Sequence, residues 1–262
     1  MREVIFSADD FGLTDSVNEA VEQANRLGCL TQASLMVAAP AAADAVRRAK
    51  ELPKLNVGLH LVLVDGDSLL GHDRLPTITG PDGRFSTDQA RLGVLYFFSA
   101  KARRELRAEI EAQFAAFAAT GLTLHHADAH KHMHLHPTVA GMMIEVGRKY
   151  GLKRLRIPAE PPDVMATCGE KVGFGDRALY AWTRLLRFQA RGLEVPDQVF
   201  GIKWSGHMTR DRIGKLLPHL PEGRTEIYTH PATTRDDALV KLMPDYDHVG
   251  EFEALLAGSE RG

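Results

Sequence analysis

Short β-forming runs alternate with stretches of helical periodicity along most of the chain. That alternation limits the fold more than any other feature. Val4-Ile5-Phe6 is made of β-formers and leads into the polar stretch Ser7-Ala8-Asp9-Asp10-Phe11-Gly12. Val17, Ala20, Val21, Ala24 and Leu27 follow at helical spacing, with Ser16 and Glu19 fitting a capping box and Gly28 a C-terminal stop. The unit recurs. Further strands are expected over 33–39, 55–63, 122–128, 153–157, 199–204 and 225–230. Helices are expected over 41–52, 101–120, 138–150, 178–189, 211–217 and 237–242, and around 250–256. Repeated strand–helix units imply a parallel sheet with helices outside it. The expected fold is α/β: a (β/α) barrel of seven or eight strands, distorted in places, formed by residues 1–262 as one domain. An open doubly wound sheet is the alternative. Two long stretches, about 64–100 and 159–197, break the rhythm and are read as insertions at the C-terminal face.

Apolar residues make up 44% of the chain, enough for a full core. Lys and Arg total 32 against 34 Asp and Glu, a balance that argues against a nucleic-acid partner. The N-terminus lacks the apolar stretch of a signal peptide, and no run is long and apolar enough for a transmembrane segment. Cys29 and Cys168 stand far apart, outside any C-x-x-C pair, so neither a disulfide framework nor a zinc–thiolate site is expected. These features together suggest a reduced, cytoplasmic protein.

Six of the twelve histidines fall within twelve residues, from His125 to His136, together with Asp128. Such a density is hard to attribute to packing, because a buried imidazole needs a hydrogen-bond partner and neutral imidazole is a common metal ligand. A surface metal-scavenging tract is the other explanation, but this run is internal and interleaved with Ala, Met and Leu. Ionisable residues also end, or lie within, the other strands: Asp9 and Asp10 in the first, His60 in the third, Arg156 before Pro158, and His230 in the last. In a parallel barrel all C-terminal strand ends open on one face, where active sites are built. Asp10, His60 and His130 are candidates for a triad of two imidazoles and one carboxylate around one divalent metal ion. Zn or Mg is the leading choice, and Co, Mn or Fe is also compatible. Asp9 is placed to act as base on a metal-activated water, His230 as the acid that protonates a leaving amine, and Arg156 as the partner that keeps Asp9 ionised. Period-two alternation would put His126, Asp128 and His130 on one face, with His132 and His134 after them. Those that do not ligate would orient the ligands or touch substrate, and His125 would point outward.

On these residues the sequence resembles the YdjC-like carbohydrate deacetylases. The shared features are Asp9-Asp10-Phe11-Gly12, Gly58-Leu59-His60-Leu61, the run His126 through His134, Arg156-Ile157-Pro158 and His230-Pro231, in the same order. The resemblance implies a βα-barrel that removes acetyl groups from N-acetylated amino sugars with a divalent metal. The ligands it implies fall on Asp10, His60 and His130, with Asp9 as base. The segment from Pro196 to Met208 is most similar to the hopanoid-biosynthesis-associated branch, which implies a lipid-linked N-acetylglucosamine head group. The apolar run Leu92 to Phe98 is compatible with an amphiphilic substrate or a peripheral membrane contact; core packing or a homodimer contact would explain it equally well. A metal-dependent phosphoesterase and a non-catalytic metal-binding protein are the competing functions, separable by metal stoichiometry.

Overall fold

The computed structural model describes residues 2–258. The long first strand, β1 (Arg2–Phe11), is exposed at its start and buried from Ser7 onward, so the chain enters the core through the strand that ends in Asp9 and Asp10. Helix α1 (Asp15–Leu27) follows, then β2 (Leu30–Leu35), α2 (Ala42–Lys50) and β3 (Asn56–Leu61). The first insertion holds α3 (Gly71–Arg74) and α4 (Gln89–Phe98), and leads to α5 (Ala100–Ala119). Next come β4 (Ala127–Ala129), a 3-10 segment (His130–Leu135) and α6 (Pro137–Lys149). The second insertion holds α7 (Pro162–Thr167) and α8 (Phe174–Gln189). The chain continues through β5 (Gln198–Phe200), α9 (Arg210–Leu216), β6 (Gly223–Thr229), α10 (Asp237–Leu242) and α11 (His248–Ala257).

All six strands are parallel and form one curled sheet in the order β4-β3-β2-β1-β6-β5. Among the described residues the regular sheet therefore has six strands, not the seven or eight of the expected barrel. The missing strand is the segment 153–157. It meets its neighbours only through isolated parallel bridges, Ala127 to Leu155 and Arg154 to Glu194. Pro158, which has no N–H to donate, stops any ladder from lengthening there. The fourth expected strand is also cut down, from 122–128 to Ala127–Ala129. The sixth stops at Phe200 because the N–H groups of Gly201, Ile202 and Lys203 turn to the Glu160 carboxylate instead of a neighbouring strand. Helix α1 is capped one residue earlier than its Asp15 start by Thr14, whose Oγ1 accepts from the Val17 N–H at 3.3 Å. Ser16, the expected cap, instead donates to Asp236 at 2.7 Å.

Helix α5 turns Leu106, Ile110, Phe114 and Phe117 into the core. The same helix buries two carboxylates that tie down the first insertion. Glu109 accepts from the backbone N–H groups of Leu69 and Leu70 at 2.8 and 3.1 Å, and from Gln113. Glu105 accepts from the Thr77 N–H at 2.8 Å. The insertion is thus held by charge-assisted bonds to its own backbone as well as by burial of Leu75, Ile78, Phe85, Leu92 and Tyr96 in the core. Replacing Glu109 with Ala should strand these donors and lower stability by about 2 kcal/mol or more, read by urea unfolding, with proteolytic nicking concentrated over 64–86. Unchanged stability and protease resistance would show that the clamp does not hold the insertion.

Candidate active site

At the end of β1 the pairing with β2 slips. Ala8 stands opposite Ala33 and Phe11 opposite Leu35, so β1 carries one residue more than its partner between these points. Asp10, in that bulge, has the left-handed φ of 60°. Neighbouring residues of a flat strand point to opposite faces. The extra residue breaks that alternation and lets both Asp9 and Asp10 be buried at the same end of the sheet, at a backbone cost that Asp tolerates better than most residues.

Strand register brings the next partners. His60 on β3 is paired directly with Asp128 on β4, and its Nδ1 lies 2.7 Å from an Asp128 oxygen. The tautomer that donates Nδ1–H to Asp128 leaves the Nε2 lone pair facing Asp10 Oδ1 at 3.4 Å. The same oxygen is 3.2 Å from Nδ1 of His130. One donor atom each from Asp10, His60 and His130 therefore lies within 4.8 Å of the others. With both imidazoles neutral, two lone pairs and a carboxylate pointed at one another repel unless a cation lies among them; without a metal ion, protons on the imidazoles take that place as hydrogen bonds to Asp10. Asp10 Oδ2 and Asp9 Oδ1 are buried without a hydrogen-bond partner. Asp9, Asp128 and Glu226, all buried, share one buried guanidinium, Arg156, while the buried Asp10 faces the imidazoles of His60 and His130. Both the donor set and the excess negative charge fit a divalent cation.

Arg156 reaches Asp9 and Asp128 at 2.7 Å each, Glu226 at 2.7 Å and the Ser7 hydroxyl at 3.0 Å. Ser34 donates to Asp128 at 2.8 Å and lies 3.1 Å from His126 Nε2. Gly58 makes room for this layer, since a side chain there would sit 2.5 Å from the His126 ring. Proton affinities follow the surroundings. Burial opposes charge on His60, but the carboxylates of Asp128, Asp10 and Asp9 outweigh it and push its pKa up to about 10. Asp128, despite burial, is held well below the usual carboxylate range by Arg156 and His60. Asp10 is likewise held low by His130 and His60. Asp9 goes the other way: burial raises it, and Arg156 only partly offsets that. Burial drives His126 and His134 down to about 4, which keeps both neutral.

The histidine run does not continue as a strand. Lys131 and His132 adopt left-handed φ angles of 49° and 52°, and residues 130–135 coil into a 3-10 segment. Period-two alternation therefore ends at Ala129. His132 turns its Nε2 to the Tyr228 hydroxyl at 2.9 Å, while His134 is buried with both nitrogens unpartnered. His125 is half-buried, not outward, with its Nδ1 3.1 Å from that of His126. His230 follows β6, beside β1. It lies near both Asp9 and Asp10, and its backbone N–H is held by the buried carboxylate of Glu251. Ser7, Glu226, Tyr228 and Glu251 escaped the sequence reading. The first three were marked by alternation, since Ser7 precedes Asp9 by two residues and Glu226 and Tyr228 precede His230 by four and two. Glu251, on a distant helix, carried no such mark.

A parallel α/β sheet whose C-terminal strand ends gather buried imidazoles and carboxylates around a cation-sized convergence defines the class: an α/β protein with a metal-capable polar site. The chain belongs to the YdjC-like protein family, whose pattern matches residues 3–260. It is 38% identical over 164 residues to a carbohydrate deacetylase of Brevibacillus brevis, a stretch covering 63% of this chain and 61% of that one. It is 39% identical over 154 residues to a carbohydrate deacetylase of Vibrio cholerae, covering 56% of each. These two matches span only about three fifths of their relatives' length. A carbohydrate deacetylase of Geobacillus stearothermophilus matches at 30% identity over 233 residues, covering 88% of this chain and 80% of its own. Among solved structures, a protein of Enterococcus faecalis V583 provisionally described as a cellobiose-phosphate cleavage protein has the same fold. The TM-score is 0.76 at 23% identity, over 99% of this chain and 93% of that one.

Removing Arg156 should be costly because it leaves three carboxylates buried together. Arg156→Met is expected to lose about 3–5 kcal/mol near neutral pH. Without the guanidinium these carboxylates bind protons more tightly folded than unfolded, so the deficit should shrink as pH falls. Urea unfolding at several pH values reads this; a deficit independent of pH would rule out the electrostatic account.

Proposed function

We propose that this chain is a divalent-metal-dependent hydrolase that removes the N-acetyl group from an N-acetylglucosamine-type sugar. The convergence of Asp10, His60 and His130, with the free Asp9 oxygen one residue away, carries the reading. The carbohydrate deacetylases among its relatives supply the substrate class. When bound, a divalent cation would supply Lewis acidity, polarising the amide carbonyl and easing deprotonation of water. Asp10, His60 and His130 would hold it, and Asp128 fixes the His60 tautomer from behind. Asp9 takes the proton of the attacking water on Oδ1 while Arg156 holds Oδ2. A carboxylate raised by burial is the better base near neutrality. Water oxygen bonds to the acetyl carbon, the C–N bond breaks, and His230 gives the departing nitrogen its proton. Glu251 keeps the His230 backbone in place.

The finer substrate we infer is an N-acetylglucosamine head group carried on a hopanoid-type lipid. The sequence of Pro196 to Met208 supports this, as does a cavity of about 600 Å³ beside His130 walled by Leu13, Met36, Pro40, Val62, Leu242 and Met243. A two-metal phosphoesterase fits less well. The second group of donors, Asp9, His60 and Asp128, is bridged by Arg156, and a cation there would face a guanidinium.

Protein with metal restored should release acetate from N-acetylglucosamine oligosaccharides. Asp9→Asn should keep its metal, by elemental analysis, and lose about 100-fold or more in kcat. Asp10→Ala should lose the metal. Metal loss in the first with turnover surviving in the second would reverse the two roles. The acid limb of kcat/KM should lie above 3.8, the ordinary value for Asp, because Asp9 is raised and must be ionised to act. A limb at or below that value would exclude Asp9 as base.

A further inference from the structure

Ten large apolar side chains are exposed among the described residues, and seven of them lie on two helices. Helix α4 exposes Val94, Phe97 and Phe98. Helix α8 exposes Phe174, Trp182, Leu185 and Phe188, and buries only Thr183 and Leu186. Every exposed Phe and Trp in that set is on one or the other. The two helices brace the same stretch of chain. Gln89 of α4 donates to the Lys131 carbonyl at 2.9 Å, the Phe97 ring lies 5.7 Å from that of His136, and Trp182 of α8 donates to the Leu135 carbonyl at 2.9 Å. The exposed rings of Phe97 and Trp182 therefore flank one segment, the one that begins at His130 beside the mouth of the site.

Cationic side chains outnumber acidic ones around these rings, where the exposed acids are Asp88, which caps α4, and Asp163, paired with Arg177 at 3.1 Å. Helix α4 contains Arg91 and no acidic residue, and Lys101, Arg103 and Arg104 follow at the start of α5. Helix α8 carries Arg177, Arg184 and Arg187, with Arg191 just beyond. Its one acidic residue, Asp176, is taken up by Lys203 at 2.9 Å and the Gly173 N–H at 2.7 Å. The Arg191 guanidinium lies 3.9 Å over the Phe188 ring. The whole chain has a formal net charge of −2, so this cationic character is local. Exposed aromatic rings set among arginines suit the bilayer interface, where rings enter the headgroup region and cations meet anionic lipid. A second copy of the chain suits it poorly, since a two-fold axis would set arginines against arginines.

We propose that α4 and α8 together form a docking surface for an anionic lipid bilayer. It requires neither metal nor turnover, so it stands apart from the deacetylase reading. The test is co-sedimentation of the full chain with vesicles of equal parts phosphatidylglycerol and phosphatidylcholine, against vesicles of phosphatidylcholine alone. Binding to the anionic vesicles is expected, weakening with added salt. Trp182 emission should shift to shorter wavelength, a clean signal because the other tryptophan, Trp204, is buried. Replacing Arg184 and Arg191 together with Gln should weaken binding by about 25-fold. Replacing Phe98 and Phe174 with Ser should abolish the emission shift. Both variants change exposed surface and should leave thermal unfolding and acetate release from a soluble substrate as in the parent. No binding to anionic vesicles, equal binding to neutral ones, or undiminished binding by both variants would overturn the proposal. So would a parent dimer that the variants split without any vesicle binding, which would assign the face to a second copy.

Discussion

One buried guanidinium holds the site together. Arg156 touches carboxylates from the neighbouring strands β1 and β6 and from β4 at the edge of the sheet, and it does so from a segment attached to the sheet only by isolated bridges. Burying a single charge is prohibitive, but a charge that satisfies several partners can hold a polar interior together. The three carboxylates need Arg156 as much as it needs them. Their mutual repulsion, relieved at one point, is what keeps Asp9 and Asp128 at fixed positions beside His60 and Asp10.

The two adjacent carboxylates of β1 divide their labour through environment. Asp10 has two imidazoles for neighbours and stays ionised. Asp9, one residue away, has burial on its side and holds its proton more readily. The bulge that separates them also supplies the left-handed turn that re-aims Asp10. His60 is governed by the pairing of β3 with β4, which sets it against Asp128, so its orientation is a property of strand register. The other histidines of the run are kept neutral by burial or turned to other partners, His132 to Tyr228 among them. A dense histidine run is therefore a stretch of mixed roles: one imidazole points at the cation-sized gap and several others build its walls.

The insertions extend the same logic outward. The first is pinned by two buried glutamates of α5 and carries α4; the second carries α8. Each leans on the segment that starts at His130, so the part of the chain that shapes the mouth is also the part that displays most of the exposed aromatic surface.

Most of the strand–helix order could be read from periodicity, because apolar spacing and glycine stops are local properties. Asp9, Asp10, His60, Asp128, His130, Arg156 and His230 stood out for a similar reason, as ionisable groups at strand ends. The extra residue in β1, the end of β4 at Ala129 and the reduction of 153–157 to bridges were not legible, since each depends on which backbone group finds a partner across space. Nor was the turn that separates His132 and His134 from His130, which rests on two left-handed residues, Lys131 and His132, that no local preference requires. The chain's own pattern thus determined which residues would reach one face of a parallel sheet. Tertiary structure decided which of them meet, because hydrogen-bond register and the balance of buried charge exist only once the strands lie side by side.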